Sequence, residues 1–590
     1  MNNSLVIPNN STYDLPSFDI LSEGRAIDSG YQVYYFEMVK MANKIPYAKL
    51  ALRDGNAAEG TFEITDSDTF RPGKKIEIKA GYDQNNETIF KGVVVKQRLK
   101  IGAEGLSVLY VDCRDEAFKT TLGRKNKYFE DVKDSDAIEE ILSAYGLAGD
   151  VAATSVQHKE LIQFHATDWD FILCRAEANG MLVFANDGKV NVAVPSSSGS
   201  PALQLGFGGN LLEFEAEMDA RTQWKKAVAK SWNYAAQSPF EAESSGAAFT
   251  ENGSPSGSDL ADVGAPDSYD LRHSGHLPED ELGEWAKSCM MKSRLAKVRG
   301  RARFRGFANI LPGQVVKLEG VGDRFNGNVY VTGVRYEMIE GACFGDLQFG
   351  MDPRWVSHEQ DLVDHPASGV MPGVNGLQIG KVIQLEGDPD GEDRILVKLP
   401  IVDPDGAGAW TRLASLDAGN NRGWVIRPEI DDEVIVGFIN DDPRDAVVLG
   451  MLHSSSHPAP IPAADDNHIK GYTSRSEMKV EFDDDQKIIV ISTPAGNNIT
   501  ITEAGTAIEI TDQNGNEYKM NPDGISLKSP ADIKLEATGN ISIKATGDLS
   551  MEGMNVKGKA NVQMKMEGSA SAEFSAGGQT AIKGGMVMIN

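Results

Sequence analysis

Near the end of the chain, three consecutive eight-residue units read Ser529-Pro-Ala-Asp-Ile-Lys-Leu-Glu536, Ala537-Thr-Gly-Asn-Ile-Ser-Ile-Lys544 and Ala545-Thr-Gly-Asp-Leu-Ser-Met-Glu552. Gly539 and Gly547 recur at the same place in the unit, where the chain is expected to turn. Apolar and polar residues alternate between these turns, which predicts short β-strands with one dry face and one wet face. The repeat therefore indicates an elongated β-structure, a needle, at the end of the chain.

The alternation changes phase once, at Gly553, after which apolar and small residues stand at even instead of odd positions. A one-residue β-bulge near Gly553 would explain the change. The apolar strip is too thin to close a core within one chain, whereas three copies wound about one axis would bury it. The sequence therefore predicts an intertwined trimeric β-helix, or β-prism, with this core: Ile541, Ile543, Leu549, Met551, Val556, Val562, Met564 and Met566.

The predicted needle covers residues 479–590 and ends on an apolar segment. We call each eight-residue unit an octad. About 14 octads would span about 65 Å if they stack at roughly 4.8 Å per layer. A blunt apolar end normally needs a cap, so the last six residues predict a binding surface for a separate tip protein. These residues are Gly585, Met586, Val587, Met588, Ile589 and Asn590.

The residues before the needle predict a mainly β protein with several domains. Strand-rich segments, interrupted twice by helical ones before residue 360, predict hub-like β-barrels with α/β excursions. One helix is expected to begin after Thr167, and Asn186-Asp-Gly188 predicts a hairpin turn. Five short strands then suit a small OB-type barrel. The predicted domains are the hub-like region (1–365), a linker (366–375), the OB domain (376–452), a neck (453–478) and the needle (479–590).

Composition argues against several classes of protein. The 590 residues carry 86 Asp and Glu against 58 Lys and Arg, a net charge of −28. This balance disfavours nucleic-acid binding, whose affinity comes mainly from Lys and Arg. No run of about 18 apolar residues occurs, so we expect no stable membrane insertion. The N-terminus has neither a basic nor a long apolar segment, which predicts cytoplasmic assembly without a signal peptide.

Motifs for catalysis or cofactor binding are missing from the sequence. It contains no P-loop, HExxH, GxSxG or complete EF-hand loop. His273 with His276, and His453 with His457, have no third metal ligand nearby in the sequence. The adjacent carboxylates of Asp431–Glu433 suit a solvated turn better than a catalytic pair. We therefore expect no catalytic residue, no cofactor and no metal site.

The order of barrel, hinge and octad needle resembles the VgrG family, the spike proteins of type VI secretion and related contractile injection systems. The most specific match is Arg427-Pro-Glu-Ile-Asp-Asp-Glu433 with Val434-Ile-Val-Gly-Phe-Ile-Asn-Asp-Asp-Pro-Arg444, which is similar to the family's barrel signature. Asp431-Asp432 and Asp441-Asp442 stand where the family often has Gly-Asp. The resemblance covers essentially the whole chain.

This resemblance implies a non-enzymatic homotrimer, like a myophage baseplate hub fused to its tail spike. The hub would seat on inner tube and baseplate proteins, and the needle would lead puncture of the target envelope. A PAAR-like tip protein and effectors would be carried, and the protein would leave the cell with the particle. Type VI systems, extracellular injection systems and phage-like bacteriocins all fit this description equally well.

One alternative is a trimeric β-helical tailspike that acts as a glycan depolymerase or an adhesin. Such an enzyme would need a groove with two carboxylates roughly 5–10 Å apart. Octads are too short to build that groove, which favours the mechanical spike.

Overall fold

Short alternating segments pair into sheets along most of the chain. The structure is a computed structural model of the 590-residue protein, and it describes residues 16–589 except 83, 104, 105, 247, 248, 265, 340 and 360. Strands account for 40% of the chain and helices for 11%. The prediction of a mainly β fold is confirmed.

The first 360 residues contain most of the regular elements. The strands are β1 Pro16–Ser22, β2 Arg25–Ala26, β3 Val33–Met41, β4 Tyr47–Arg53, β5 Lys75–Tyr82, β6 Asn85–Ile101, β7 Ser107–Arg114, β8 Lys125–Lys133, β9 Ala148–Val151, β10 Gln157–Ala166, β11 Leu182–Asn186, β12 Lys189–Ala193, β13 Leu203–Gly206, β14 Leu211–Met218, β15 Ala227–Asn233, β16 Ser238–Ser244, β17 Tyr269–Arg272, β18 Val298–Arg305, β19 Val315–Glu319, β20 Gly327–Ile339 and β21 Ala342–Phe349. The helices are α1 Glu63–Asp66, α2 Asp134–Ala144, α3 Asp168–Ala178, α4 Gly257–Ala261, α5 Glu279–Leu295 and α6 Val356–Glu359.

The later elements are short strands. They are β22 Gln378–Gln384, β23 Ile395–Lys398, β24 Ala409–Leu413, β25 Ala418–Gly419, β26 Arg422–Gly423, β27 Glu433–Phe438, β28 Ala446–Met451, β29 Ile469–Thr473, β30 Lys479–Asp483, β31 Ile488–Ser492, β32 Asn498–Thr502, β33 Ala507–Thr511, β34 Glu517–Asn521 and β35 Gly524–Lys528. The chain divides into two compact units. One comprises residues up to Leu377 with Gly437–Ala446, and the other comprises Gln378–Val436 with Val447–Asn590.

A 13-stranded sheet organises the first unit. Eight of its strands follow the order β14-β18-β21-β20-β3-β4-β7-β6, and every neighbouring pair in this run is antiparallel. One face packs into the main core, where Leu109, Val111 and Cys113 of β7 are fully buried. Tyr110 and Asp112 lie on the opposite face, which we call the outer face. This alternation is typical of a sheet with one covered face.

Two helices pack with a three-stranded sheet, β11-β12-β9, around a second core of the first unit. Helix α3 begins as predicted, because the Thr167 hydroxyl accepts a hydrogen bond of 3.1 Å from the Asp170 backbone N–H. The predicted hairpin turn also forms, with Asp187 and Gly188 joining β11 to β12.

Five strands of the predicted OB-type region form a closed barrel in the order β22-β23-β24-β28-β27. Its interior is apolar, and Val382, Ile395, Val397, Val434 and Val448 are each at most 1% exposed. The barrel that the turn-rich sequence predicts is confirmed.

After the barrel, the chain forms an antiparallel meander of seven strands, β29–β35. Each strand pairs with the next one along the chain. The structure differs here from the expectation of octads starting at residue 479, because the strands up to Lys528 pair within the chain. From residue 530 to 589 the chain is extended and bends at regular intervals, without strand pairing to other described residues.

A buried ion-pair network joins helices of the first unit. The Asp134 carboxylate accepts hydrogen bonds from Arg175 (2.5 Å and 3.1 Å) and Asn179 (2.9 Å), and it lies 3.1 Å from Nε2 of His158. Arg175 also pairs with Glu281 of α5 at 3.1 Å. Burial by itself would raise the pKa of the Asp134 carboxyl, but His158, Arg175 and Asn179 outweigh it and hold that pKa well below its ordinary value.

Replacement of this carboxylate should destabilise the first unit. Removing one partner of a buried ion pair costs about 3–5 kcal/mol, so Asp134→Asn should lower the unfolding temperature of this unit by several degrees at pH 7. Because the folded-state pKa is depressed, this stabilisation is fully present above the ordinary carboxyl pKa and is lost progressively as the pH falls from about 4 toward the depressed folded-state pKa. Scanning calorimetry at pH 7 and at about pH 2.5 should show the difference between variant and wild type shrinking in acid. An equal difference at both pH values would contradict this account.

Candidate assembly interface

The meander β29–β35 carries two columns of side chains on one face, and both are largely apolar. Strand register places Tyr472, Val480, Ile491, Ile499, Ile510, Tyr518 and Leu527 in one column and Phe482, Ile489, Ile501, Ile508, Met520 and Ile525 in the other. Lys470 occupies the remaining position of the second column. Every strand from β30 to β35 therefore contributes two apolar residues, spaced two positions apart, to the same face.

The same spacing continues through the extended segment. The chain bends at residues 530–531, 538–539, 546–547, 553–554, 561–562, 569–570, 577–578 and 585–586. The second and fourth positions after each bend form what we call a rung pair. Up to residue 582 the rung pairs are Ile533 and Leu535, Ile541 and Ile543, Leu549 and Met551, Val556 and Gly558, Met564 and Met566, Ala572 and Phe574, and Thr580 and Ile582.

One short unit explains the change of phase in the sequence. The bend at Thr546–Gly547 is followed after seven residues by the bend at Gly553–Met554, whereas the other intervals are eight residues. Later apolar residues therefore move from odd to even numbers but keep their distance from the preceding bend. The structure thus has a unit that is one residue short at this point, instead of the predicted bulge.

Seven of the eight predicted core residues occupy rung pairs. Ile541, Ile543, Leu549, Met551, Val556, Met564 and Met566 do so, and they are 56–73% exposed in the single chain. The eighth, Val562, lies at a bend and is 99% exposed.

Ile533, Leu535, Phe574 and Ile582 follow the same alternation but are not among the eight predicted core residues, and the structure places them at equivalent positions. Odd and even numbers include these four residues, whereas counting from each turn also excludes Val562, which lies at a bend.

Consecutive rung pairs also fit one another within the chain. A Cβ atom at Gly558 would lie 2.7 Å from Cε of Met564, so the Met564 side chain fills the space that Gly558 leaves open. The missing apolar side chain at Gly558 is thus replaced by a long, flexible one from the next unit.

A single chain does not cover its rung pairs. Every residue from 530 to 589 is exposed. Burying one Ile, Leu, Met or Val side chain contributes about 1.5–3 kcal/mol, and this stabilisation is absent from the isolated chain. The backbone of the segment also has no strand partner among the described residues, so its ladder hydrogen bonds remain to be made. Copies of the same chain, wound about one axis with the rung pairs inward, would satisfy both requirements.

The predicted tip-binding residues lie at the last bend. Gly585 and Met586 form that bend, and Met588 follows at a rung-pair position. Val587 is 49% exposed, whereas Met586, Met588 and Ile589 are each more than 80% exposed. Asn590 lies outside the described residues. The segment therefore presents a small apolar surface at the end of the described chain.

Asp431, His273 and His276, which the sequence analysis weighed as catalytic or metal-binding residues, each contact a neighbouring side chain or backbone group. The Lys381 ammonium lies 2.8 Å from the Asp431 carboxylate, and its hydrogen bond lowers the pKa of that carboxyl. Nδ1 of His273 accepts a hydrogen bond of 3.1 Å from the Gly275 backbone N–H, and His276 stacks on Tyr234. Among the described residues, no group of three or more His, Cys, Asp and Glu side chains is placed to hold a metal ion.

Three of the cysteine thiols have raised pKa values because they are buried or partly buried. Burial raises the pKa of Cys289 and of Cys343 to about 12, and that of Cys174 to about 11. These thiols stay protonated at neutral pH.

In the part of the chain that the structure describes, no helix is both long and apolar enough to span a bilayer.

Two family models match the chain. The model described as the Alg8 N-terminal domain matches residues 12–340, which is more than half of the chain. The model described as the type VI secretion system/phage-baseplate injector OB domain matches residues 378–453, the region of the closed barrel.

Among curated proteins, the chain is similar to the type VI secretion system spike protein VgrG1b of Pseudomonas aeruginosa. The two are 22% identical over 442 residues, which is 70% of this chain and 58% of that protein. The chain therefore spans less than two thirds of the length of this relative.

Solved structures that are similar to this chain include the following two. The 43 kDa tail protein of prophage MuSo2 from Shewanella oneidensis has a TM-score of 0.44 and 10% identity, over 57% of this chain and 98% of that one. A chain of the Francisella PdpA–VgrG complex has a TM-score of 0.37 and 8% identity, over 88% of both chains.

Charges placed in one rung pair should prevent assembly of the predicted trimer. In a trimer, Ile541→Asp with Ile543→Asp would put six carboxylates into the apolar interior, so multi-angle light scattering should find the double variant monomeric. The control is Ser542→Asp, which places one aspartate per copy between the two positions, on the other face. A trimeric double variant, or a control that dissociates equally, would refute the rung-pair interface.

The short unit at Gly553 should tolerate an extra residue that a regular unit does not. A serine inserted between Glu552 and Gly553 restores eight residues and keeps later rung pairs in phase, so the melting temperature should stay within a few degrees. A serine inserted between Ser542 and Ile543 turns Ile543 to the other face in every copy and should cost about 5–9 kcal/mol per trimer. Thermal melts of the two variants should differ clearly. Equal losses would contradict the phase derived from the bends.

Proposed function

We propose that three copies of this chain form the spike of an injection particle, because its barrel matches the type VI secretion system/phage-baseplate injector OB domain and the chain is similar to VgrG spike proteins. By the match over residues 12–340, the chain also belongs to the Alg8 N-terminal domain family. The region before the barrel seats on the inner tube and baseplate proteins. The needle leads puncture of the target envelope. The role is mechanical and involves no catalysis by this chain.

The observation that carries this proposal is the run of apolar side chains left open along the end of the chain. Rung pairs continue from the meander to the last bend, and one chain buries none of the octad pairs. An elongated structure whose core exists only between copies resists bending, because each layer is covalently continuous with the next in every copy.

Three is the number of copies that best fits the octad. Each bend turns the chain after one short strand, so successive units are suited to the successive sides of a prism. Three strands per layer close a triangular section that buries two apolar residues from each copy and leaves no free edge. Two copies would leave the rung pairs open on one side.

The charge of the chain fits a body that is driven through a membrane and does not bind it. Each copy carries a net charge of −28, which triples in the trimer. A surface of this sign is repelled by anionic lipid headgroups and by nucleic acid. Force from the contracting particle therefore has to supply the work of penetration.

The end of the needle is proposed to carry a PAAR-like tip protein, and effectors travel with the assembled spike. Met586, Met588 and Ile589 expose apolar surface that a cap would cover. Such a cap would also give the blunt end a narrower leading point.

Removal of the last six residues should separate tip binding from trimer formation. Deletion of Gly585–Asn590 should abolish binding of a purified PAAR-like protein from the same system, because the apolar surface is lost, while light scattering still finds a trimer. Lys583→Ala, just before the last bend, is the matched control and should bind normally. Undiminished tip binding by the truncated protein would refute this part of the proposal.

A further inference from the structure

One part of the outer face of the sheet carries a charge unlike that of the whole chain. Strands β4, β7 and β6 are neighbours there, and their register aligns Lys49 with Asp112 and Asp112 with Lys96. In residues 47–53, 96–101 and 107–114, the outer face holds six cationic side chains and one carboxylate, that of Asp112, in a chain whose net charge is −28. We call the six cationic residues the basic platform: Lys49, Arg53, Lys96, Arg98, Lys100 and Arg114.

The basic platform contains two cross-strand rows without a carboxylate. The row through Lys96, Asp112 and Lys49 alternates in sign, so its charges oppose one another across the strands. The next two rows combine cations with aromatic or apolar side chains, and they are Arg98-Tyr110-Ala51 and Lys100-Val108-Arg53. Positive charge is therefore concentrated at this end of the three strands.

Most of the platform cations have no carboxylate partner. Lys49 is the exception, because its ammonium lies 3.6 Å from the carboxylate of Glu37, which also pairs with Arg335. Among the described residues, no carboxylate forms an ion pair with any of the other five cations. Arg114 is half-buried and the remaining platform residues are exposed. The platform is thus a local positive surface on an acidic protein.

Two tyrosine rings support cations of the platform. The guanidinium of Arg98 lies 4.3 Å from the ring centroid of Tyr110, and that of Arg114 lies 5.0 Å from the centroid of Tyr47. The ammonium of Lys49 lies 4.7 Å from the same Tyr47 centroid. A ring contact restrains a guanidinium but does not use its N–H donors, which remain able to bind a carboxylate in a bidentate manner.

The rest of the outer face shows which groups bind such cations. Arg303 of β18 lies 3.0 Å from the carboxylate of Asp346 on β21, and Arg335 of β20 lies 2.9 Å from that of Glu37 on β3. Each of these arginines therefore meets a carboxylate from a neighbouring strand. The two platform rows receive no carboxylate from any described strand, so a partner that supplies carboxylates would complete the same pattern.

We propose that the basic platform binds an acidic, extended segment of another protein, whose carboxylates pair with Arg53, Arg98 and Lys100. From Lys96 to Lys100 the platform spans four residues of strand, which is about 13 Å. An extended segment places the side chains of one face about 6.6 Å apart, so two or three carboxylates fit along this length. The site is complete within one copy, and its failure would leave the proposed trimer standing.

Two observations favour an acidic polypeptide over a single-stranded nucleic acid. Proteins that bind single strands stack bases on open aromatic rings, whereas the rings of Tyr47 and Tyr110 already contact platform cations. A nucleic acid also carries a phosphate on every nucleotide, and beyond the small platform it would meet a chain whose net charge is −28. A short acidic segment confines its charges to the platform.

Fluorescence anisotropy with the full chain tests this site. The probe is a fluorescein-labelled peptide of six Glu-Thr repeats, and the same peptide with Gln in place of Glu should bind at least tenfold more weakly. Arg98→Glu with Lys100→Glu should weaken binding of the Glu peptide at least tenfold, and Arg98→Gln with Lys100→Gln should give a smaller loss. The matched control, Lys189→Glu with Arg272→Glu, changes the net charge equally on other sheets and should keep the wild-type affinity.

Salt and a competing polyanion make the outcomes decisive. Raising the NaCl concentration from about 50 mM to about 500 mM should weaken binding of the Glu peptide, because the contact is ionic and exposed. No binding of the Glu peptide at the lower salt concentration, or equal losses in the platform and control variants, would overturn the proposal. A single-stranded DNA of twelve nucleotides that binds more tightly than the Glu peptide, and loses affinity in the platform variants, would overturn it in favour of nucleic acid.

Discussion

The constraint on which the rest of the structure depends is that one chain cannot bury the rung pairs. Each strand or octad of the last part of the chain presents two apolar side chains on one face, and a ribbon only two residues wide has no second layer to cover them. In the proposed trimer, the hydrophobic effect therefore acts between copies and not within a copy. Because a rung pair recurs in every layer, the free-energy cost of leaving these side chains exposed grows with the number of layers. The rigidity gained when they are covered grows in the same way.

The two ways of building a layer follow from the turns. In β29–β35 the chain reverses after each strand, so backbone hydrogen bonds form within the copy and only the apolar face remains for the partners. Beyond Lys528 the chain bends without pairing to other described residues, so in the proposed trimer both the backbone and the apolar face would be completed by other copies. In the proposed trimer, the meander would thus give each copy a preformed section of needle, from which the octads extend.

Features that depend on neighbouring residues are predictable from the sequence, whereas features that depend on the pairing of distant strands are not. The Thr167 cap and the Asp187-Gly188 turn depend on neighbouring residues alone, and both formed as expected. The Gly553 phase change was visible, but odd and even numbering cannot separate an extra residue from a missing one. Even numbering also places Val562 in the predicted core, although this residue occupies a bend.

The division between meander and octads, and the strand order of the sheet in the first unit, are also beyond sequence reasoning. Both kinds of needle strand alternate with period two, and only the pairing of Tyr472 with Val480 and of Ile491 with Ile499 reveals a meander. Glu215 and Arg98 lie more than a hundred residues apart, and only the strand order puts their strands at opposite ends of one run.

The mass of the intact protein in solution is the most direct test of this account. Sedimentation velocity of the full-length chain, at low micromolar concentration and physiological salt, should give a single elongated species of three times 63.8 kDa. Amide hydrogen exchange of the same sample should show residues 530–589 protected. A monomer of 63.8 kDa, with those amides exchanging freely, would contradict the claim that the end of the chain folds only between copies.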